Sequence, residues 1–396
     1  MSSARAAIGI GVVGLGWMGQ AHSRSFLRLP SLFPDRVYQP RLVLCADNVE
    51  ARRDESGAFG FEGATDDWRR VIDHDEVDVV IVTAPNMVHE ELCVAAAQAG
   101  KHVFCEKPVG GTPEQTVRIA AAARQAGVIT GVGYNYRWAP LVLHLRQLLE
   151  ADRLGQLTNY RGRFFSMYGS DPMGLLSWRF LEAEGGYGVS SDILSHAVDL
   201  ATFLVGPIAR VVGTKETFIR QRPLPQPGTP GHYALGQPGD PTGEVTNEDF
   251  AAALVVFGNG VQGTFESSRS IIGPESQMAF DLYGTKGAAS WNLERLNELQ
   301  LYVVGDDGRA PRGYTTVFGG ERYPYHGKFV PGDANSIGFE DLVAIEDHEF
   351  LTAVAAGEVY QPGFEEALDY VSFQAAWLRS CESGTWQDVV RLGGTT

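Results

Sequence analysis

The chain has 396 residues, of which 44% are hydrophobic and 20% charged, and its formal net charge is −16. This length predicts two or three domains with a core large enough to fold without disulfides. The acidic balance argues against nucleic acid and anionic membranes as partners, because both are bound through basic patches. Four cysteines without C-x-x-C spacing, a short polar N-terminus and no long apolar segment predict a cytoplasmic protein with free thiols.

The first predicted element is a strand that ends in a glycine-rich turn. The apolar run 8–13 breaks into Gly14-x-Gly16-x-x-Gly19, and a helical stretch follows at 20–29. This spacing lets the backbone approach a pyrophosphate at a helix N-terminus. Because glycine-rich turns are common, the motif alone is weak and depends on its context.

A second predicted strand, 41–48, contains Asp47 near its end. An acidic side chain at this place binds the adenosine ribose hydroxyls of NAD and repels the 2′-phosphate of NADP. The alternative is a simple strand-end cap. The proline-bearing insert 29–40, which we interpret as a surface loop, lengthens the spacing between Gly19 and Asp47. Arg52 and Arg53 could instead attract a phosphate, so NAD is favoured and NADP stays open.

Strands and helices continue to alternate up to residue 137. Strands are predicted at 77–86, 102–106 and 128–137, and helices at 88–100 and 112–127, the latter with Thr112 as N-cap and Pro113 in its first turn. Such alternation predicts an α/β fold, a doubly wound parallel sheet of the Rossmann type spanning residues 1–137. Ligands bind beyond the carboxyl ends of these strands, where the sequence places Gly14 to Gly19, Asp47, Pro85-Asn86, Glu106-Lys107 and Asn135.

Residues 138–396 have a different pattern and predict an α+β domain for substrate binding and oligomerisation. Its large, mostly antiparallel open sheet is predicted from strand-like runs at 157–167, 210–219, 249–257, 260–270, 277–285 and 298–304, with helices at 190–206, 339–357 and 364–384. Asn259-Gly260 is a hairpin signal. Two long loops, 222–243 and 322–338, interrupt the pattern, and we expect the second to cover a site.

The predicted helix 190–206 carries Asp192 and His196 four residues apart, on one helix face. For an isolated pair the ordinary interpretation is a solvated ion pair, but most of this helix is apolar. An imidazole is suited to take a proton near neutral pH, and a cation stabilises charge that builds on an oxygen. Lys107, His196 and a nicotinamide would together supply a cation, a base and a hydride acceptor, with Asp192 orienting the histidine. We expect Lys107 and His196 to converge on the same oxygen.

Other chemistries are disfavoured by spacing. The remaining histidines considered as ligands, His22, His74, His89, His102 and His144, lack metal-ligand spacing, so no metal site is predicted. No G-x-S-x-G motif is present, which disfavours a serine hydrolase.

These motifs together resemble the Gfo/Idh/MocA oxidoreductases, which include glucose–fructose oxidoreductase and inositol dehydrogenase. The resemblance covers nearly the whole chain and is carried by "GVVGLGWMGQAH" (11–22), "TAPNMVHEE" (83–91), "GKHVFCEKPVG" (100–110), "GYNYRWAP" (133–140) and "GGYGVSSDILSHAVD" (185–199). The insert 29–40, "DPMGLLSWRF" (171–180) and the loop 322–338 are similar to the levoglucosan dehydrogenase branch of this family. Tyr187 departs from the triple glycine that the family often has before the aspartate.

The resemblance implies a role for each matching residue. Lys107 would bind the reacting hydroxyl, His196 would be the acid/base, and Asp192 would assist; the Lys107-Pro108 peptide is expected to be cis. The implied cofactor-binding residues are Gly14, Gly16, Trp17, Met18, Gly19, Asp47, Thr83, Ala84, Pro85, Asn86, His89, Glu106, Lys107, Asn135, Trp178 and Arg179. The implied substrate-binding residues are Lys107, Tyr136, Arg137, Trp178, Tyr187, Asp192, His196 and His326.

The implied activity is NAD(P)-dependent oxidation of a secondary alcohol of a sugar, anhydrosugar or cyclitol to the ketone. Alternatives are a ketosugar reductase that prefers NADPH, an enzyme that keeps its cofactor bound and exchanges substrates, and a non-catalytic sensor of the same fold. The implied partners are a small carbohydrate or cyclitol and further copies of the chain, in a homodimer or homotetramer.

Overall fold

A computed structural model of the protein describes residues 5–225, 234–305, 308–309 and 313–394. The chain forms two compact units. Unit 1 comprises residues 1–138, 337–368 and 393–396, and unit 2 comprises residues 139–336 and 369–392. The first change of unit lies one residue from the expected boundary at 137/138. The later return of the chain to unit 1 differs from the expected single segment 138–396.

The strands of the described residues, in chain order, are β1 (Ala6–Val13), β2 (Tyr38–Ala46), β3 (Gly63–Thr65), β4 (Val79–Val82), β5 (His102–Cys105), β6 (Thr130–Val132), β7 (Leu157–Ser166), β8 (Ile208–Glu216), β9 (Gln221–Pro223), β10 (Thr242–Glu244), β11 (Phe250–Phe257), β12 (Gln262–Ser268), β13 (Ser276–Gly284), β14 (Gly287–Asn292), β15 (Glu298–Val303), β16 (Thr315–Phe318) and β17 (Gln387–Asp388).

The α-helices of the same residues are α1 (Trp17–Leu32), α2 (Glu50–Asp54), α3 (Arg69–Ile72), α4 (His89–Gln98), α5 (Pro113–Ala126), α6 (Pro140–Glu150), α7 (Glu182–Gly185), α8 (Val189–Asp192), α9 (Leu194–Val205), α10 (His326–Phe329), α11 (Phe339–Ala356) and α12 (Phe364–Ser383). Single 3₁₀ turns include Asn86–Val88, Asn135–Trp138 and Trp178–Phe180.

Unit 1 contains the predicted doubly wound sheet. Its strands are all parallel, in the order β3-β2-β1-β4-β5-β6. The order reverses between β1 and β4, the place where open α/β sheets bind their ligands. Helix α5 begins at Pro113, and Thr112 is its N-cap as predicted: the Thr112 hydroxyl accepts a hydrogen bond from the backbone N–H of Gln115 in a capping box.

The late segment of unit 1 is helix α11, which packs against α1. Its contacts include a stack of His348 on Phe33, with ring centroids 3.7 Å apart, and an Arg24–Glu340 ion pair. The interpretation of 29–40 as a surface loop therefore holds only for the short link 33–37 and is wrong for the two ends of this insert. Helix α1 continues through Pro30 to Leu32, β2 begins at Tyr38, and Phe33 and Tyr38 are both buried. Their aromatic side chains pack against a helix more than 300 residues later in the chain.

Unit 2 contains a large mixed sheet in the order β16-β15-β14-β13-β7-β12-β11-β8-β17. Every pairing is antiparallel except β7 with β12, which confirms the mostly antiparallel sheet. The predicted hairpin joins β11 to β12, with Gly260 at φ 88°. Helix α9 packs on β7 and leaves the other face of the sheet to more exposed side chains.

Several boundaries differ from prediction. The expected strand 128–137 is three residues long and runs into a 3₁₀ turn, because Asn135 to Trp138 leave the sheet. The expected helix 190–206 is interrupted at Ile193, which has φ −116° and ψ −33°. Asp192 therefore ends α8 and His196 lies in α9, rather than on one continuous helix.

The two long loops are more ordered than expected. The ends of 222–243 are antiparallel strands, β9 and β10, while residues 226–233 lie outside the described part of the chain. The loop 322–338 contains the short helix α10. Strands β14 and β16 were missed, since Gly, Ala and Ser in β14 give weak strand signals.

Candidate active site

In the glycine turn between β1 and α1, two of the three glycines have no room for a side chain, and the third has room. Gly14 has φ +98°, and a Cβ there would lie 2.7 Å from the backbone nitrogen of Ala84. A Cβ on Gly19 would overlap the Gly14 carbonyl oxygen. At Gly16, by contrast, the nearest atom to such a Cβ is Arg52 Nη1, at 4.0 Å. Backbone packing thus requires Gly14 and Gly19, whereas Gly16 leaves the approach to the turn open.

Gly16 is the N-cap of α1, and no side chain caps the helix. The first turn of α1 carries no acidic residue. Unsatisfied N–H groups and the positive end of a 16-residue helix favour a phosphate at this position. The turn therefore fits the pyrophosphate of a dinucleotide.

Asp47 is buried, and its carboxylate points back to the glycine turn. One oxygen accepts the backbone N–H of Leu15 at 2.7 Å, and the other accepts that of Val49 at 2.8 Å. Arg52 Nη1 lies 3.3 Å from the first oxygen, and Arg53 donates to the Asp47 carbonyl oxygen at 2.8 Å. Both arginines that could attract a 2′-phosphate thus contact Asp47. Its predicted role at the ribose stays a prediction.

The residues after β4 hold neighbouring turns in place. The Thr83 hydroxyl donates to the Gly14 carbonyl oxygen at 2.5 Å. His89 is buried, with its ring nitrogens 2.7 Å from the Ala84 carbonyl oxygen and 2.9 Å from that of Pro108. Burial lowers the pKa of His89, although these backbone hydrogen bonds oppose the shift. Pro85 is exposed and Asn86 is buried.

Glu106 and Lys107 follow β5 directly. One Glu106 oxygen lies 3.2 Å from His22 Nε2, and the other accepts the Lys107 backbone N–H at 3.2 Å. The carboxyl group fills the space where a Cβ on Gly133 would be, at 2.7 Å. Lys107 itself is half-buried, and the Lys107-Pro108 peptide is cis, as predicted.

The 3₁₀ turn after β6 carries three predicted site residues, Asn135, Tyr136 and Arg137, all buried. The Asn135 amide nitrogen is buried and has no hydrogen-bond partner among the residues that the structure describes. A buried orphan donor at the carboxyl edge of a nucleotide-binding sheet fits a ligand that supplies an acceptor.

Trp17 and Met18 begin α1. Trp17 is 62% exposed and stacks on Phe339 of α11, with ring centroids 5.3 Å apart, while Met18 is partly buried. Phe339 also contacts Tyr136 edge-on at 6.2 Å. Phe339 thus joins two predicted site residues. Sequence reasoning missed it because it lies more than 300 residues from the glycine turn.

In unit 2, Asp192 is held by two side chains. The Tyr168 hydroxyl donates to one oxygen at 2.8 Å, and Arg179 Nη1 donates to the other at 3.2 Å. The Arg179 guanidinium lies over the Trp178 ring at 4.6 Å. Burial and the nearby Asp192 carboxylate raise the pKa of Tyr168, so this hydroxyl stays a neutral donor. The structure therefore brings Trp178, Arg179 and Asp192 together, with Tyr168 as a member that sequence reasoning missed.

A buried polar network fixes the segment around these residues. Arg269 pairs with Asp249 at 2.8 Å, and both side chains are inaccessible to solvent. Arg269 also donates to the Arg179 carbonyl oxygen and to the Asn247 side chain. Asn247 in turn donates to the carbonyl oxygens of Arg179 and Gly186. Sequence reasoning missed this network because nothing in the local sequence distinguishes Arg269 and Asp249 from charged residues at the surface.

The other predicted residues of unit 2 lie in different settings. His196 is 6% exposed on α9, with its ring 6.1 Å from that of Phe164. Tyr187 is partly buried beside Lys215, whose ammonium lies 6.0 Å from its ring. His326 is fully buried, and its Nε2 lies 2.8 Å from the Asn335 carbonyl oxygen of its own loop. The substrate role predicted for His326 stays a prediction.

The described residues contain no group of three His, Cys, Asp or Glu side chains placed to hold a metal ion. Across the described helices, none has both the length and the apolar character needed to traverse a bilayer.

The parallel sheet, the glycine turn and the buried acid after β2 are the features of a dinucleotide-binding protein. Residues 8–134 match the model of the oxidoreductase family with an NAD-binding Rossmann fold, and residues 142–290 match the GFO/IDH/MocA C-terminal domain. The chain belongs to the Gfo/Idh/MocA family and is an NAD-dependent oxidoreductase.

The similarity to individual relatives extends over both units. The chain is 33% identical to levoglucosan dehydrogenase of Pseudarthrobacter phenanthrenivorans, over 97% of this chain and 99% of that protein. It is 24% identical to inositol 2-dehydrogenase of Rhizobium meliloti, over 93% and 96%. A solved structure of levoglucosan dehydrogenase in complex with NADH and L-sorbose superimposes with a TM-score of 0.91 at 32% identity, covering 98% of this chain and 100% of that one.

Proposed function

We propose that the protein uses NAD⁺ to oxidise a secondary alcohol of a sugar, anhydrosugar or cyclitol to the ketone. The observation that carries this proposal is the full-length similarity to levoglucosan dehydrogenase, which spans 97% of this chain. The weaker similarity to inositol 2-dehydrogenase keeps cyclitols within the proposed substrate class.

The proposed cofactor residues belong to unit 1. The glycine turn would hold the pyrophosphate, Asp47 the ribose, and the orphan Asn135 amide an acceptor of the cofactor. Bound NAD⁺ supplies the acceptor for the hydride. The exposed Trp17 ring, which stacks on Phe339, would contribute an apolar contact to the bound cofactor.

The proposed catalytic residues are Lys107, His196 and Asp192. The Lys107 ammonium would bind the reacting oxygen and stabilise negative charge as it develops there. His196 would take the hydroxyl proton as general base. Asp192 would orient this base, and its own position is set by Tyr168 and Arg179.

Turnover of a substrate panel tests the proposed reaction. Levoglucosan, aldoses and cyclitols are each incubated with NAD⁺ or NADP⁺, and NAD(P)H formation is followed at 340 nm. We expect turnover with at least one member and a preference for NAD⁺. Binding of a sugar to the NADH complex, seen by fluorescence but without turnover in either direction, would instead support a non-catalytic sensor. Ketone reduction that requires NADPH would support the reductase alternative.

Two variants test the proposed roles. Lys107→Ala and His196→Ala should each lower kcat by about 10²- to 10⁴-fold, the usual contribution of acid–base and charge-stabilising groups. NADH affinity should stay within a few fold. Lys101→Ala is the matched control for the lysine, because Lys101 precedes the same strand and bonds the carbonyl oxygens of His74 and Val77. Rates near those of the wild type in both variants would refute this mechanism.

We also propose that the exposed sheet face of unit 2 contacts a second copy of the chain. This face carries Leu254, which is 52% exposed, with the charged side chains of Arg161, Arg163 and Glu266 on the neighbouring strands to one side of it. A patch with both charge signs beside an exposed apolar residue can pair with itself across a two-fold axis. Leu254→Glu should convert an oligomer to a monomer in light scattering; a wild-type monomer would contradict the proposal.

A further inference from the structure

A buried imidazole connects three segments of unit 1, and the reaction proposed above assigns it no role. His22 of α1 is fully buried. Its Nδ1 lies 2.8 Å from Asp347 Oδ1 of α11, and its Nε2 lies 3.2 Å from Glu106 Oε1 at the end of β5. Asp347 is also fully buried, and Glu106 is 8% exposed. The residue after Glu106 is Lys107.

The contacts determine the charge of the ring. Both ring nitrogens face carboxylate oxygens, which only accept hydrogen bonds, and a neutral imidazole has one N–H to donate. Burial disfavours the charged ring, but the attraction and hydrogen bond of Asp347, followed by those of Glu106, outweigh it and raise the pKa of His22. His22 is therefore a buried cation between two acidic side chains.

The trio does not resemble a metal site. The two carboxylates contact opposite nitrogens of one imidazole, so they cannot converge with it on a single ion. The arrangement is instead a chain of side-chain contacts from Asp347 through His22 to Glu106.

Glu106 transmits this contact to Lys107. Its Oε1 faces His22, and its Oε2 accepts the Lys107 backbone N–H at 3.2 Å. The carboxyl group is also packed against Gly133. Because each oxygen makes one of these hydrogen bonds, rotation of the Glu106 carboxylate would break both together. The contact with Gly133 also restricts this rotation.

We propose that His22 and Asp347 are positioning residues that fix Glu106 and, through it, the backbone and side-chain direction of Lys107. The functional importance of this chain of contacts rests on the proposed function of Lys107. The positioning itself can be measured without turnover. The competing explanation is that the pair only docks α11 onto α1.

The Arg24–Glu340 ion pair provides a matched control. It joins the same two helices, with Arg24 Nε 2.9 Å from Glu340 Oε2, and it is about one-third exposed. Arg24→Gln should loosen the docking of the helices without disturbing Glu106.

The small number of lysines makes a direct measurement feasible. The chain has five, Lys101, Lys107, Lys215, Lys286 and Lys328. Reductive methylation with ¹³C-formaldehyde labels these five ε-amino groups and the N-terminal amine, and Lys107→Arg identifies the Lys107 signal. In His22→Gln and in the isosteric Asp347→Asn, the Lys107 signal should move by more than its linewidth while the Lys101 signal stays. In Arg24→Gln neither should move. An unchanged Lys107 signal in a folded His22→Gln or Asp347→Asn protein would overturn the proposal.

A double-mutant cycle extends the test to turnover. His22→Gln should lower kcat about tenfold or more, as expected for a misplaced catalytic group, with KM for NAD⁺ little changed. If His22 acts through Glu106, adding His22→Gln to Glu106→Gln should cost nothing further. Fully additive losses would contradict the proposal. A wild-type protein without turnover on any substrate would refute the proposed function alone, since the NMR result would still decide the positioning.

Discussion

The two units hold their predicted site residues by different means. In unit 1 most of these residues follow the carboxyl ends of parallel strands and bond to backbone groups: Asp47 accepts two N–H groups, and Thr83 donates to a carbonyl oxygen of the glycine turn. Glu106, which His22 contacts, is the exception. In unit 2 side chains fix the site, through Tyr168 and Arg179 on Asp192 and the buried Arg269–Asp249 pair behind them. Strand ends are set by the sheet itself, whereas a side-chain network fails if one member is lost.

The largest effect is expected from breaking the network of unit 2. Arg269→Met should destabilise the protein by about 3–5 kcal/mol, because it leaves Asp249 buried without its cation. Urea unfolding measures the change. The control Arg220→Met removes an exposed ion pair to Glu216 and should cost at most about 1 kcal/mol. Equal losses of stability in the two variants would show that the buried Arg269–Asp249 pair contributes no more to stability than an exposed ion pair.

A smaller effect is expected from the glycine turn of unit 1. Gly19→Ala forces a Cβ onto the Gly14 carbonyl oxygen and should lower stability by about 1–3 kcal/mol. Gly16→Ala enters open space, so the melting temperature of the free protein should be unchanged while NADH affinity falls at least tenfold. Differential scanning calorimetry and NADH fluorescence separate the two. A melting temperature lowered equally by both substitutions would contradict the open position at Gly16.

The buried cation of unit 1 predicts a pH dependence. A folded-state pKa above that of the unfolded chain stabilises the protein fully below pH about 6.5, and the stabilisation is lost as pH rises through the raised pKa of His22. The stability advantage of wild type over His22→Gln should therefore shrink between pH 6 and alkaline pH. One pKa unit corresponds to about 1.4 kcal/mol. Melting temperatures across this range test the sign, and an advantage that grows with pH would be inconsistent with a buried imidazolium.

The smallest effect is expected at Tyr168. Tyr168→Phe removes one of the two donors to Asp192, which keeps Arg179 and is partly exposed, so the cost to stability should be about 1 kcal/mol. If Asp192 orients His196, kcat should fall about tenfold without a change in NADH affinity. Unaltered kcat would argue that Arg179 alone positions Asp192.

The difference between the units also explains what the sequence could predict. The Rossmann sheet, the Thr112 N-cap and the Asn259-Gly260 hairpin are confirmed, because each depends on residues close together in the chain. The cis Lys107-Pro108 peptide, which the family resemblance implied, is also present. Tyr168, Phe339, Asp347 and Arg269 were not anticipated as site residues. Their partners lie from 20 to more than 300 residues away in the sequence, and neither periodicity nor local spacing reports such a pairing.

Two wrong expectations have the same cause. The insert 29–40 contains prolines and was expected to be a surface loop, yet Phe33 and Tyr38 are buried against His348. The helix carrying His196 was expected to be continuous, yet it is interrupted at Ile193 after a segment whose backbone is anchored by Glu248 and Tyr370. In both cases tertiary contacts override the local pattern.

The return of the chain to unit 1 has a consequence for biosynthesis and for protein engineering. When residues 1–138 have emerged from the ribosome, α11 has not yet been translated. This helix supplies the partners of His22, Arg24 and Phe33. The nucleotide-binding half can thus reach its final packing only when translation is almost finished. A chimera that exchanges this half between relatives must therefore also exchange residues 337–368. Otherwise α1 of one protein would have to pack against α11 of another.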